Sequence, residues 1–204
     1  MSPLRTQIES HLRQLREDVN LRPDQIDIGE LLPIFVPSSF FQFGNWPGPY
    51  TLLRAKEIGL TWSVCMPNQT MRYIDHDMQQ HWESQQLDWK ALAIRNLTRK
   101  TNETPAGVRE FRGPAGETYS IAFMFEDGYG PSRLLLRGGL AERFPAGYRV
   151  AMPEMSCGFA YAKNLREAEL ATVQGVIDQC YRNGTRPLAP GSYDPDDLLP
   201  AASI

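Results

Sequence analysis

The chain has 204 residues, 42% of them apolar and 22% charged, a composition that supports a packed core and argues against bulk disorder. Its formal charge is -3 and no run of Lys and Arg exceeds two residues, so the electrostatic footprint of a nucleic-acid binder is missing. The length favours a single domain, assigned to residues 1–190, followed by a Pro- and Asp-rich peripheral tail over 191–204.

Leu4, Ile8, Leu12, Leu15 and Val19 recur at helical spacing and predict an amphipathic N-terminal helix that Pro23 ends. The same stretch has no apolar core run, so no signal peptide is expected. Residues 31–36 form a short apolar run split by Pro33, which predicts an edge strand. The following loop, 37–50, is rich in Pro and Gly, yet it carries Phe40, Phe41, Phe43 and Trp46. Residues 51–55 and 59–65 read as strands, and 71–74 pairs back through the turn at Pro67, Asn68 and Gln69.

Asp75 is a natural N-cap with Asp77 in the first turn of a short helix. A second helix is predicted from Ser84 to about Lys100, with Trp89, Ala93 and Leu97 on one stripe, widened by Leu87, Ala91 and Ile94. Residues 108–112 and 118–125 flank a Gly-Pro-Ala-Gly turn as a hairpin. Residues 126–131 turn into a helix that buries Leu134, Leu135, Leu140 and Phe144 and is weakened by Gly138 and Gly139. Strands at 149–152 and 158–162 precede a last helix capped by Asn164. Its stripe is Leu170, Val173, Ile177, Cys180 and Tyr181, and Asn183-Gly184 is its stop.

Strands come in adjacent pairs, which favours hairpins over βαβ units. The predicted class is α+β, with a mixed or mainly antiparallel sheet of hairpin-paired strands packed by N-terminal, central and C-terminal helices. No stretch is long and apolar enough for a membrane span, and the cytoplasm is the expected compartment. Cys65, Cys157 and Cys180 are odd in number and far apart in sequence, which supports neither a disulfide framework nor a zinc ribbon.

Four constellations could carry chemistry. Gly128, Tyr129, Gly130, Ser132 and Arg133, with Pro131, form a Gly-containing turn before a helix, the geometry in which backbone amides and a guanidinium hold an anion. The competing reading is that Glu126 or Asp127 already pairs with Arg133. Cys157, beside Gly158, is a candidate nucleophile, against the commoner role of a small buried hydrophobe. Phe40, Phe41, Phe43 and Trp46 are a candidate partner surface, against a loop folded over its own core. His76 and His81 are five apart, which does not match the i,i+4 spacing of helical metal ligands; no metal and no cofactor are expected.

Three stretches also recur together: Met71-Arg72-Tyr73-Ile74 followed by Leu92-Ala93-Ile94-Arg95-Asn96-Leu97; Asp127-Gly128-Tyr129-Gly130-Pro131-Ser132-Arg133; and Gly147-Tyr148-Arg149-Val150-Ala151-Met152-Pro153 with Thr185-Arg186-Pro187 beyond. Their order resembles the YtpQ-like family of uncharacterised bacterial proteins, a domain of unknown function, over residues 31–190. The chain departs from that family's pattern at Tyr148, at Glu154-Met155-Ser156 and at Gly130-Pro131. The resemblance implies a cytoplasmic bacterial protein and transfers no activity.

Two functions are therefore expected as alternatives. The first is a non-enzymatic binding or adaptor domain, acting through self-association or a protein partner, without nucleic acid or membrane. The second is an enzyme for a small anionic substrate held near Gly128–Arg133 and Cys157.

Overall fold

The computed structural model describes residues 22–42, 46–66 and 70–201. The predicted helix over residues 4–19, the turn at Pro67, Asn68 and Gln69, and Phe43 lie outside the described residues. Within them, the chain forms two antiparallel sheets and four α-helices, an α+β fold.

The first sheet is centred on β3 (Ile58–Cys65). Along one edge of β3 runs β1 (Leu31–Pro37), paired from Leu31–Val64 to Pro37–Ile58. Along the other edge lie β2 (Tyr50–Leu52) and β4 (Met71–Tyr73), each pairing with half of β3. As Pro33 requires, β1 pairs with one neighbour only, because proline offers no ladder donor. Its free side is covered by a helix instead of solvent, and residues 31–36 are all buried.

Two helices cover part of this sheet. Asp75 caps α1 (His76–Ser84), accepting from the Met78 amide at 2.8 Å. The second helix, α2 (Trp89–Glu103), starts later than predicted. Asp88 is its cap, accepting from the Ala91 amide at 3.1 Å, while Ser84 closes α1. Gln86 separates the two with a φ of 57°. Trp89, Ala93 and Leu97 are buried as their spacing predicts, whereas Ile94 is exposed. Trp89 meets Trp62 edge-on, 5.0 Å between centroids, inside a cluster with Met78 and Trp82.

The second sheet has the order β5-β6-β8-β7-β9, built from Val108–Arg112, Thr118–Met124, Cys157–Ala162, Tyr148–Glu154 and Ser192–Tyr193. Side-chain alternation divides it cleanly. Ile121, Phe123, Val150, Met152 and Ala160 face a core shared with Phe35, Leu53 and Ile58 of the first sheet region. Ala122, Ala151, Cys157, Phe159 and Tyr161 face α4 (Glu167–Asn183), which contributes Val173 and Ile177. Arg166, not Asn164, is the N-cap of α4, and the Glu169 carboxylate accepts its amide at 3.1 Å. Between the sheets' strands, a 3₁₀ turn (Pro131–Leu135) precedes a seven-residue helix, α3 (Arg137–Arg143).

The C-terminal segment is a correction. It was expected to be peripheral, but β9 pairs with Val150 and Ala151 of β7, and Leu198 is buried in the shared core. The Arg54 and Ala55 amides donate to Leu199 and Asp197 carbonyls, so this segment joins both sheets. A Pro-rich sequence cannot form a long ladder, yet short pairings and a buried leucine suffice to hold it.

Candidate functional site

Three of the four expected constellations resolve into local structure. In the turn before α3, Gly128 takes a φ of +79°, and the Asp127 carboxylate accepts the Tyr129 amide at 2.9 Å. Gly130 lies against the β7–β8 turn, where a Cβ would collide with the Ser156 carbonyl. The amides of Ser132 and Arg133, expected at a free helix start, donate instead to the carbonyls of Tyr129 and Gly130. Arg133 is buried and forms a bidentate pair with Asp127, at 3.1 and 2.7 Å. Its Nε donates to Thr101 at 3.2 Å, and its guanidinium lies 3.3 Å over the Phe125 ring. An internal carboxylate therefore takes the place foreseen for an external anion. Tyr129 points the other way and shares a 3.0 Å hydrogen bond with Ser63, and burial pushes its phenol far up.

The aromatic loop largely stacks on itself. Phe41 lies 4.3 Å from Tyr50 and 5.1 Å from Trp46, and Trp46 lies 5.0 Å from Tyr73. Of the described candidates only Phe40 is an exposed large hydrophobe. On α1, His76 bonds locally to Gln79, and His81 bonds to Gln85 just past the helix end. Among the described residues no group of three His, Cys, Asp or Glu side chains could hold a metal ion.

Cys157 is buried in an apolar cluster, the commoner of the two settings read from the sequence. Its backbone adjoins the Gly128–Arg133 turn, but its side chain belongs to the cluster under α4, so the thiol and Arg133 do not share a cleft. It lines one cleft with Cys180 of α4, and burial, followed by that neighbour, pushes the Cys157 thiol up. Beside them sits Glu154, a buried carboxylate that no sequence motif marked. It accepts from the Ser156 amide at 2.6 Å, the Ser156 hydroxyl, and the Arg186 amide at 3.2 Å. These groups line a cleft of about 390 Å³.

A second hollow, of about 60 Å³, lies further along α4 between Phe111, Tyr119, Val173 and Val176. The two are separate hollows that follow one another along the same side of α4. From hollow to cleft the lining passes from Ser120 to Met124 on β6, from Phe159 to Cys157 on β8, and from Val176 to Cys180 on α4. Each step keeps to one face of its element, two or four residues on a strand and four on a helix. Phe111 and Val176, at 44% and 43% exposed, border the small hollow, and Met124, at 40%, borders the cleft.

Searches against family models, curated proteins and solved structures returned no match for this chain. No helix among the described residues is long and apolar enough to cross a membrane.

Proposed function

We propose that this chain is a non-enzymatic binding domain that seats an amphipathic helix of a protein partner on β5 and β6, alongside α4. The observation that carries the reading is the half-covered sheet. Strands lie about 4.8 Å apart, and a helix with its side chains is about 10–12 Å across, so one helix covers roughly two strands. α4 rests on β7 and β8. Among the described residues no helix covers the α4-side face of β5 and β6, which is left with exposed Phe111 and Met124 and an apolar hollow against Val176.

Helix-in-groove recognition uses apolar anchors at i, i+3, i+4 and i+7. The 60 Å³ hollow has room for one such side chain, given that a single water needs about 10–15 Å³. Arg109, exposed on β5 in the same alternation as Phe111, favours an acidic flank on the incoming helix. The resemblance to the YtpQ-like family contributes no activity to this reading. The enzymatic alternative is weaker because Arg133 is already paired and burial pushes the Cys157 thiol up, away from the reactive thiolate.

Site-specific photo-cross-linking from position 111, in an extract of the source cells, tests the proposal, with exposed Glu142 on α3 as the control position. The expected result is a discrete partner joined through an amphipathic helical segment and lost in Val176→Asp at unchanged Tm. Equal yields from both positions, a cross-link that survives Val176→Asp, or capture of a second copy of this chain would each overturn it.

A further inference from the structure

We infer that Gln179 and Asn183 of α4 set the register of the incoming helix, by requiring an asparagine or glutamine seven residues from its apolar anchor. The inference rests on the helix-binding proposal and adds the partner's sequence pattern to it.

Along the flank of α4 that lines the two hollows, Thr172, Val176, Gln179 and Asn183 follow one another at steps of four, three and four. Alternating steps of three and four trace one seam of a helix, the seam against which a second helix packs in a coiled coil. All four residues are exposed and none is charged. Asp178 and Arg182, on the same turns, pair with each other off the seam.

The seam changes character part-way. Thr172 and Val176 border the 60 Å³ hollow together with Phe111, Tyr119 and Phe159. The Thr172 hydroxyl donates to the Ala168 carbonyl at 2.9 Å, so that donor is already engaged within α4. Gln179 and Asn183 border the 390 Å³ cleft, and neither side chain hydrogen-bonds to a described residue.

Each of these two amides carries donors and an acceptor, and in the free chain water serves them. A helix laid on the seam excludes that water, and a polar group left buried and unpaired is costly. A leucine at this level of the incoming helix leaves both amides unpaired, and a charged residue meets no counter-charge on the seam. A glutamine or asparagine satisfies donors and acceptors together. One polar layer in an otherwise apolar seam is the device that fixes the register of paired helices. The layers Thr172–Val176 and Gln179–Asn183 are seven residues apart, about 10.5 Å along a helix. On the partner the apolar anchor and the amide are therefore one heptad apart as well.

The test selects binders from a displayed library of amphipathic helical peptides, with the full chain as bait. The residues seven before and seven after a fixed apolar anchor vary among Leu, Ala, Asn and Gln. The expected result is enrichment of Asn or Gln at one of these positions. An enriched peptide should bind wild type about tenfold more tightly than the same peptide carrying leucine there. The double variant Gln179→Leu/Asn183→Leu, exposed at both sites, should reverse that preference at unchanged Tm. Enriched peptides that Val176→Asp releases but that carry leucine at the second position would overturn this inference and leave the helix-binding proposal standing. So would a preference for the amide that the double variant does not alter. Failure to enrich any helix that Val176→Asp releases, or self-association of the chain through Val176, would remove both.

Discussion

Arg133 carries a full charge with only 1% of its side chain exposed, so its neutralisation is a matter of folding. Asp127 supplies the counter-charge and is itself a third exposed. Removing one member of a buried pair leaves the other uncompensated. Asp127→Asn should therefore cost about 2–4 kcal/mol, toward the low side of a fully buried pair because water reaches Asp127. Adding Arg133→Met should recover part of that loss, as read by urea melts. Sulfate stabilises proteins by exclusion, so it should raise the Tm of wild type and Arg133→Ala equally; a wild-type excess would indicate an anion site.

Tyr129 titrates in the opposite sense to an ion pair. Burial raises its folded pKa and the Ser63 hydrogen bond offsets that only in part. A raised folded pKa means the stabilisation is intact below the unfolded tyrosine value of about 10 and is lost as pH climbs above it. Stability should fall above about pH 10, and Tyr129→Phe should flatten, without abolishing, that fall in Tm against pH. Tyr193, raised by its own burial, maintains the remainder.

At the scale of elements, the start of α2 shows how a good local signal can be used by the wrong element. Ser84 and Asp88 are both capping residues four apart, and the apolar stripe fits either start. The positive φ at Gln86 decides for Asp88 and turns the Ser84 hydroxyl back onto the His81 carbonyl. Asp88→Ala should cost about 1 kcal/mol, and Ser84→Ala should stay within about 0.5 kcal/mol of wild type, both measured by thermal or urea unfolding. Asn96 was also invisible within that stripe. Its amide donates to the carbonyls of Ile28 and Leu31, at 2.9 and 3.0 Å, and ties α2 to the edge of β1. Nothing in the periodicity of α2 distinguishes such a polar residue from a solvated one.

At the scale of the molecule, the last described residues act as a strap. Tyr193 and Leu198 are buried, and Pro200 bridges back to Leu53 beside the first sheet. Ending the chain after Pro190 should remove both contacts and expose the core shared by Phe35, Val150 and Met152. The expected outcome is a large loss of Tm together with strong binding of an apolar dye. A truncated protein that melts within about 2 °C of the full chain would contradict this role, because losing two buried side chains at about 1.5–3 kcal/mol each should be visible in a chain of this size.

The sequence by itself determined the class, the antiparallel pairing of β3 with β4, and the buried stripes of α2 and α4. Those features depend on the local period of apolar residues and on caps and turns within a few positions. Only the tertiary structure decided that Cys157 and Cys180 line one cleft, that Asp127 rather than Glu126 holds Arg133, and that β9 joins β7. Each of these depends on how one element lies across another. A periodic stripe says which face of α4 is buried, but its sliding position and angle on the sheet are set by packing against β7 and β8. The two hollows along α4 are a consequence of that placement.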